Sequence, residues 1–211
     1  MKQSNTPYWA ASITLLGLLA MLAGCAPEPA LKTPGDVPAQ ASSEAHAQAI
    51  ARIVDWRVLG RFGIQAEDEG YHGRLDWRQR GEAMNLTLSG PFSSGGVRLR
   101  SGTSSGIGGI ELSDSNGNVS RAADADTLLE QATGLQMPVS GLHYWIRGLR
   151  APGAAFPPSF DDLGRLTSLK QDGWGIDYRA YMDVDGLSLP RKLFLERDGL
   201  RVRLVVERWQ L

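Results

Sequence analysis

Cysteine is nearly absent. Cys25 is the one thiol in 211 residues, so no internal disulfide can form. Histidine is almost as scarce: His46, His72 and His143 are scattered without the spacing that zinc ligands need, so neither a metal nor a cofactor is expected. No Gly-Lys dipeptide occurs, which removes a Walker A loop and with it nucleotide hydrolysis within the chain. Neither sign of charge is in excess, with 22 Lys+Arg against 23 Asp+Glu and a net charge of −1. There is no basic run and no aromatic-basic interleaving, so nucleic acid is not an expected partner. Long apolar runs are missing as well. The stretch that begins near Ile13 and ends before Cys25 falls short of the roughly 18 residues that argue for a spanning helix.

That stretch closes on Leu22-Ala23-Gly24-Cys25, with small residues directly before the lone thiol. The pattern fits a bacterial lipobox, in which cleavage leaves the cysteine as an acylated N-terminus. The alternatives are an uncleaved transmembrane helix, against which the short apolar stretch argues, and an ordinary secretory signal. Lys2 is the only positive residue ahead of the stretch. Ala26 rather than aspartate follows the thiol, so sorting to the outer membrane is the expected default. Residues 27–42 are rich in Pro, Ala, Ser and Gly and cannot bury enough surface to fold, which predicts a flexible tether. The expected organisation is a signal peptide over 1–24, a lipidated N-terminus and tether over 25–42, and a single domain over 43–211. Several acyl chains at Cys25 would anchor that domain durably where one would bind marginally.

Ser43 opens a predicted short helix with apolar positions Ala47, Ile50, Ile53 and Val54. Period-two alternation then takes over. Trp56, Val58, Phe62 and Ile64 share one phase; Tyr71, Gly73, Leu75 and Trp77 repeat it. Met84, Leu86 and Leu88 predict a third strand, and Val97 with Leu99 a fourth, followed by shorter ones over 107–112 and around Val119. Helical signals return in the middle. Asp124 or Thr127 can cap a helix carrying Leu128 and Leu129, with Thr127-x-x-Glu130 as a capping box and Gly134 as its end. Ser140 can cap another, with Leu142, Trp145, Ile146 and Leu149 on one stripe. A loop with Pro152, Pro157 and Pro158 leads back to strands over 163–170, 174–182, 187–196 and 200–209, the last three joined by the hairpin signals Asp185-Gly186 and Asp198-Gly199. The expected fold class is mainly β with inserted helices: an incomplete, unclosed antiparallel β-barrel of about 11 strands with a helical lid over an apolar cavity. Such a concave interior is a ligand site as readily as a core.

Catalytic patterns are weak. Gly102-Thr103-Ser104-Ser105-Gly106 matches the nucleophile-elbow pattern, but that elbow needs a strand before it and a helix after it, and a Gly-rich turn follows here. Asp161-Asp162 and Asp183-x-Asp185 lie at predicted turns and read as solvated acids. No enzyme is expected.

One set of motifs has a definite order. The chain carries Trp56-x-x-x-Gly60-Arg61-Phe62, Leu75-Asp76-Trp77, Gly90-Pro91-Phe92, Leu128-Leu129 and Met137-Pro138-Val139. These are followed by Trp145-Ile146-x-Gly148-Leu149, Gln171-x-Gly173-Trp174 and a closing Trp209. With the lipobox, this series over residues 56–209 resembles the LolB family of outer-membrane lipoproteins. The resemblance implies a receptor on the periplasmic face of the outer membrane, lipid-anchored through Cys25. It would accept acylated lipoprotein cargo from a soluble, LolA-like periplasmic carrier and insert it into outer-membrane lipid. A monomer is expected, although the sequence itself does not fix the oligomeric state. It further implies that an apolar residue after a proline, between the third and fourth strands, protrudes and touches the membrane. Pro91 and Phe92 match that position, with Phe in place of the usual leucine and Ser93 in place of the usual glycine. The bland alternative is that Phe92 packs inward. Candidates for lining an acyl-chain cavity are Phe62, Trp77, Leu86, Leu88, Met137, Trp145 and Trp174, each of which could equally be plain core. A general lipid- or lipopolysaccharide-binding envelope lipoprotein and a cell-envelope hydrolase stand as rival functions.

Overall fold

Period-two alternation becomes strand in the long segments that carry it, Asp55–Ala66, Glu69–Arg80 and Leu200–Gln210 above all. The structure, a computed structural model, describes residues 39–66, 69–90, 95–102 and 109–211. Helix α1 (Ala39–Ala51) leads into β1 (Asp55–Ala66), β2 (Glu69–Arg80), β3 (Ala83–Ser89), β4 (Gly96–Ser101), β5 (Ile110–Asp114) and β6 (Val119–Ala122). Two helices follow, α2 (Ala125–Thr133) and α3 (Val139–Trp145). The chain then returns to strands: β7 (Ser159–Phe160), β8 (Leu166–Gln171), β9 (Trp174–Val184), β10 (Leu187–Arg197) and β11 (Leu200–Gln210). Among the described residues these make one antiparallel sheet of 11 strands in the order β6-β5-β4-β3-β2-β1-β11-β10-β9-β8-β7, left unclosed between β6 and β7. The unclosed, mainly β architecture is the expected one.

Alternation sorts the two faces. Trp56, Val58, Phe62 and Ile64 of β1 are buried, as are Leu75 and Trp77 of β2 and Val202, Leu204 and Val206 of β11. Strict alternation from Val202 would turn Trp209 outward. A bulge prevents this: Leu59 pairs with Arg208 but Gly60 pairs with Val206, which leaves Glu207 as an extra residue. Glu207 and Arg208 both face solvent, and Trp209 comes back to the core with its Nε1–H donated to the Pro190 carbonyl at 3.1 Å. Gly60 makes the bulge possible, because a Cβ there would sit 2.5 Å from the Val205 carbonyl oxygen. Asp185-Gly186 and Asp198-Gly199 form the tight turns expected of them, with positive φ at both residues, and Asp172-Gly173 makes a third of the same kind.

Several element boundaries differ from the sequence expectation. Helix α1 begins at Ala39 rather than Ser43 and stops at Ala51, so Ile53 and Val54 lie beyond it and Val54 is exposed. Asp124 caps α2 by accepting the Thr127 N–H at 2.7 Å. The capping box therefore does not form, and Glu130 accepts from the Gln136 side chain instead. Pro138, not Ser140, stands at the N-cap of α3. Strand β8 starts at Leu166 because the Asp161 carboxylate accepts the N–H groups of Leu163 and Arg165, both at 3.0 Å, and folds residues 161–165 into a turn that leaves Leu163 outside. The described part of the strand expected over 107–112 begins at Ile110, and β7 was not anticipated.

Antiparallel order places the β1–β2, β8–β9 and β10–β11 turns, the end of β3 and the start of β4 at one end of the sheet. That end forms the rim of the sheet.

Candidate functional site: the concave face beneath the helices

Helices α2 and α3 are short, and the sequence fixes them to the sheet by side-chain bonds between distant segments. Asp126 on α2 accepts the Ser140 N–H at 2.9 Å, capping α3 from the neighbouring helix. Burial raises the pKa of this carboxyl. At the far end of α3, Trp145 is fully buried; its Nε1–H donates to Gln171 at 3.1 Å and its carbonyl accepts the Tyr178 hydroxyl at 3.0 Å. Tyr178 is itself buried, which pushes its phenol well above the ordinary range. Between the helices and the rim, the Arg197 guanidinium lies 4.8 Å over the Trp174 ring and donates to Gln136 at 2.8 Å.

Aromatic side chains fill the opposite end. Trp56 lies 5.4 Å from Trp77, 5.8 Å from His143 and 5.8 Å from Trp209, measured between ring centroids. The buried Arg147 bonds two backbone carbonyls, those of His143 at 3.1 Å and Ile53 at 3.2 Å, and so ties α3 to the segment before β1. Burial first, and then the Arg147 charge, push the His143 imidazole down to about 4. Because the folded value lies below the unfolded one, the unfolded chain takes up the proton first as pH falls. Stability is thus expected to drop between about pH 6.5 and pH 4, and His143→Gln should flatten that part of a urea-midpoint profile. An unchanged profile in the variant would remove His143 as the group responsible.

Most of the sequence-derived lining residues meet here. Phe62, Trp77, Leu86, Met137, Trp145 and Trp174 belong to one continuous buried cluster, and Leu88 is partly buried at its margin. Phe62 lies over Gly73, where a Cβ would come within 2.6 Å of the ring. Leu128, Leu129, Leu142 and Trp145 of the two helices belong to the same buried cluster as these strand residues. Gln171, Tyr178 and Arg197 were not anticipated as part of the site. Gln171 and Arg197 occupy inward positions in their strands, and a polar residue in the apolar phase is the signal that could have marked them. Cys25, Pro91, Phe92 and Ser104 lie outside the described residues.

Grooves open at the rim. One of about 480 Å³ runs between residues 154–156 and the β8–β9 turn, walled by Phe156, Trp174 and Lys170. Another of about 590 Å³ lies between the α2–α3 connection and the β10–β11 turn, beside Arg197 and Leu200. Among the described residues no helix is long and apolar enough to cross a membrane, and no cluster of three His, Cys, Asp or Glu side chains is placed to hold a metal ion.

Comparison with known proteins gives the family. Residues 54–209 match the family model for the outer membrane lipoprotein LolB. The outer-membrane lipoprotein LolB of Pseudomonas putida (strain W619) is 38% identical over 199 residues, which cover 94% of each chain. That of Halorhodospira halophila is 38% identical over 92% of this chain and 93% of its own. That of Nitrosococcus oceani is 37% identical over 95% of this chain and 96% of its own. A solved LolA superfamily protein from Nitrosomonas europaea aligns with a TM-score of 0.48 at 14% identity, covering 78% of this chain and 93% of that one. With a family match across nearly the whole sheet and relatives alike along almost their full length, the chain belongs to the LolB family of outer-membrane lipoproteins.

Proposed function

We propose that this chain is a receptor on the periplasmic face of the outer membrane. It takes acylated lipoproteins from a soluble, LolA-like carrier and passes them into the membrane without nucleotide hydrolysis. The observation that carries the reading is an aromatic-rich apolar face covered by two short helices that a few side-chain bonds hold down. Two buried indole N–H groups inside it, those of Trp56 and Trp174, have no acceptor among the described residues. The ester carbonyls of acyl chains are acceptors of the right kind for them.

Acyl chains cannot cross water unshielded, since each methylene costs about 0.8 kcal/mol to expose. Chains entering under α2 and α3 would replace helix–sheet contacts with chain contacts on Phe62, Trp77, Leu86, Leu88, Met137, Trp145 and Trp174. The bilayer offers the same chains equally apolar surroundings, so release is an exchange between like environments and needs no chemistry. The lipid on Cys25 holds one monomeric domain at the membrane, and the loop with Pro91 and Phe92 touches the bilayer.

The test starts from an acylated lipoprotein bound to its carrier. Mixed with the purified chain and no nucleotide, the cargo is expected to move to the chain and then into added vesicles. Cargo that remains on the carrier, while the chain binds phospholipid or lipopolysaccharide alone, would favour a general lipid-binding accessory and overturn the receptor reading.

A further inference from the structure

Residues 151–158 read Ala-Pro-Gly-Ala-Ala-Phe-Pro-Pro, eight positions without one polar side chain. Most of this segment is nevertheless exposed, and Phe156 is 70% exposed. The chain holds it in place from beneath. Gln171, only 2% exposed, accepts the Ala151 N–H at 3.0 Å and donates to the Ala151 carbonyl at 2.7 Å. Further along, Ala155 bridges to Gln171 in antiparallel fashion, and the Phe156 N–H donates to the Lys170 carbonyl at 3.0 Å. A buried amide bonded to both backbone groups of Ala151 therefore presents an apolar loop to solvent in a fixed position. Beside Phe156 lies the rim groove of about 480 Å³, with Lys170 on its wall.

We propose that the 154–156 loop is a membrane-contact element in its own right, separate from the loop that carries Phe92. Phe156 enters the boundary between lipid headgroups and acyl chains, and Lys170 meets lipid phosphate. A lipid surface is the occupant that suits the site. The loop offers apolar side chains with Lys170 and Asp172 on one side and Arg150 on the other, and a chain anchored by its own N-terminal lipid is held next to a bilayer at high effective concentration. The inference rests on the outer-membrane anchoring of the proposed receptor but not on the transfer of cargo.

Because Cys25 is the only cysteine, the mature chain with Cys25→Ala and Phe156→Cys offers one thiol for an environment-sensitive fluorophore. With vesicles of phosphatidylethanolamine and phosphatidylglycerol, its emission is expected to shift to the blue and to be quenched by spin-labelled lipid. Phe156→Ser in the Cys25→Ala background should lower vesicle partitioning about tenfold, while Phe156→Trp keeps it. Unchanged urea midpoints would confirm that the variants fold. A fluorophore that stays in water, that responds to the carrier but not to vesicles, or a Phe156→Ser chain that partitions normally, each overturns the proposal. If the label stays in water while the lipidated parent still takes cargo from its carrier, the loop is removed and the receptor stands. If the parent takes no cargo while the label enters vesicles, the receptor reading fails and the loop stands.

Discussion

Replacing Trp145 with alanine is expected to cost about 3–5 kcal/mol of folding stability, the range for losing a fully buried large aromatic side chain. The indole is completely buried at the end of α3. Gly141 makes room for it, since a Cβ there would lie 2.5 Å from the Trp145 ring. Its removal also takes from Gln171 one of the donors that its buried oxygen accepts. The urea midpoint should fall with little change in slope, and Trp145→Phe, which keeps most of the ring, should recover part of the loss. A cost below about 1 kcal/mol would mean that the helices rest on the sheet much more loosely than the packing indicates. On the proposed route, in which acyl chains enter beneath α3, the same result would set how much work that entry takes.

The second large effect is on delivery. Phe92→Glu is expected to leave the fold and the uptake of cargo intact while stopping transfer into membranes. A phenyl ring gains about 1.5–3 kcal/mol on leaving water, whereas a glutamate brings a charge that the bilayer interior rejects. The measurement is a chase from the loaded variant to vesicles, run beside the parent. Delivery at the parent's rate would remove this loop from the mechanism and leave residues 154–156 as the better candidate for membrane contact.

Much of the architecture could be read from alternation alone. The phases of β1, β2 and β11 and the Asp-Gly turns depend on neighbours in sequence, and they came out as expected. What escaped depends on partners far away. The bulge opposite Gly60 answers to the approach of β11, which no local pattern announces. The cap of α3 comes from Asp126 on another helix, so Ser140 looked like the cap when it is the residue being capped. Gln171 is an ordinary strand residue until its three partners, Trp145 and the two backbone groups of Ala151, are brought to it. The candidate lining residues lie in the buried cluster or at its margin, but whether such residues enclose space or fill it is decided by how α2 and α3 settle, and that has no signature in single-strand periodicity.

The pairing of β1 with β11 has a consequence for how the molecule is made. β1 sits in the middle of the sheet, and one of its hydrogen-bonding edges is satisfied only by the final strand, with Arg57 opposite Gln210. A chain without β11 therefore has an open strand edge through the centre of its sheet, the kind of edge that exposes an incomplete fold to mispairing. The sheet is whole only once its first and last strands, about 150 residues apart, have found each other.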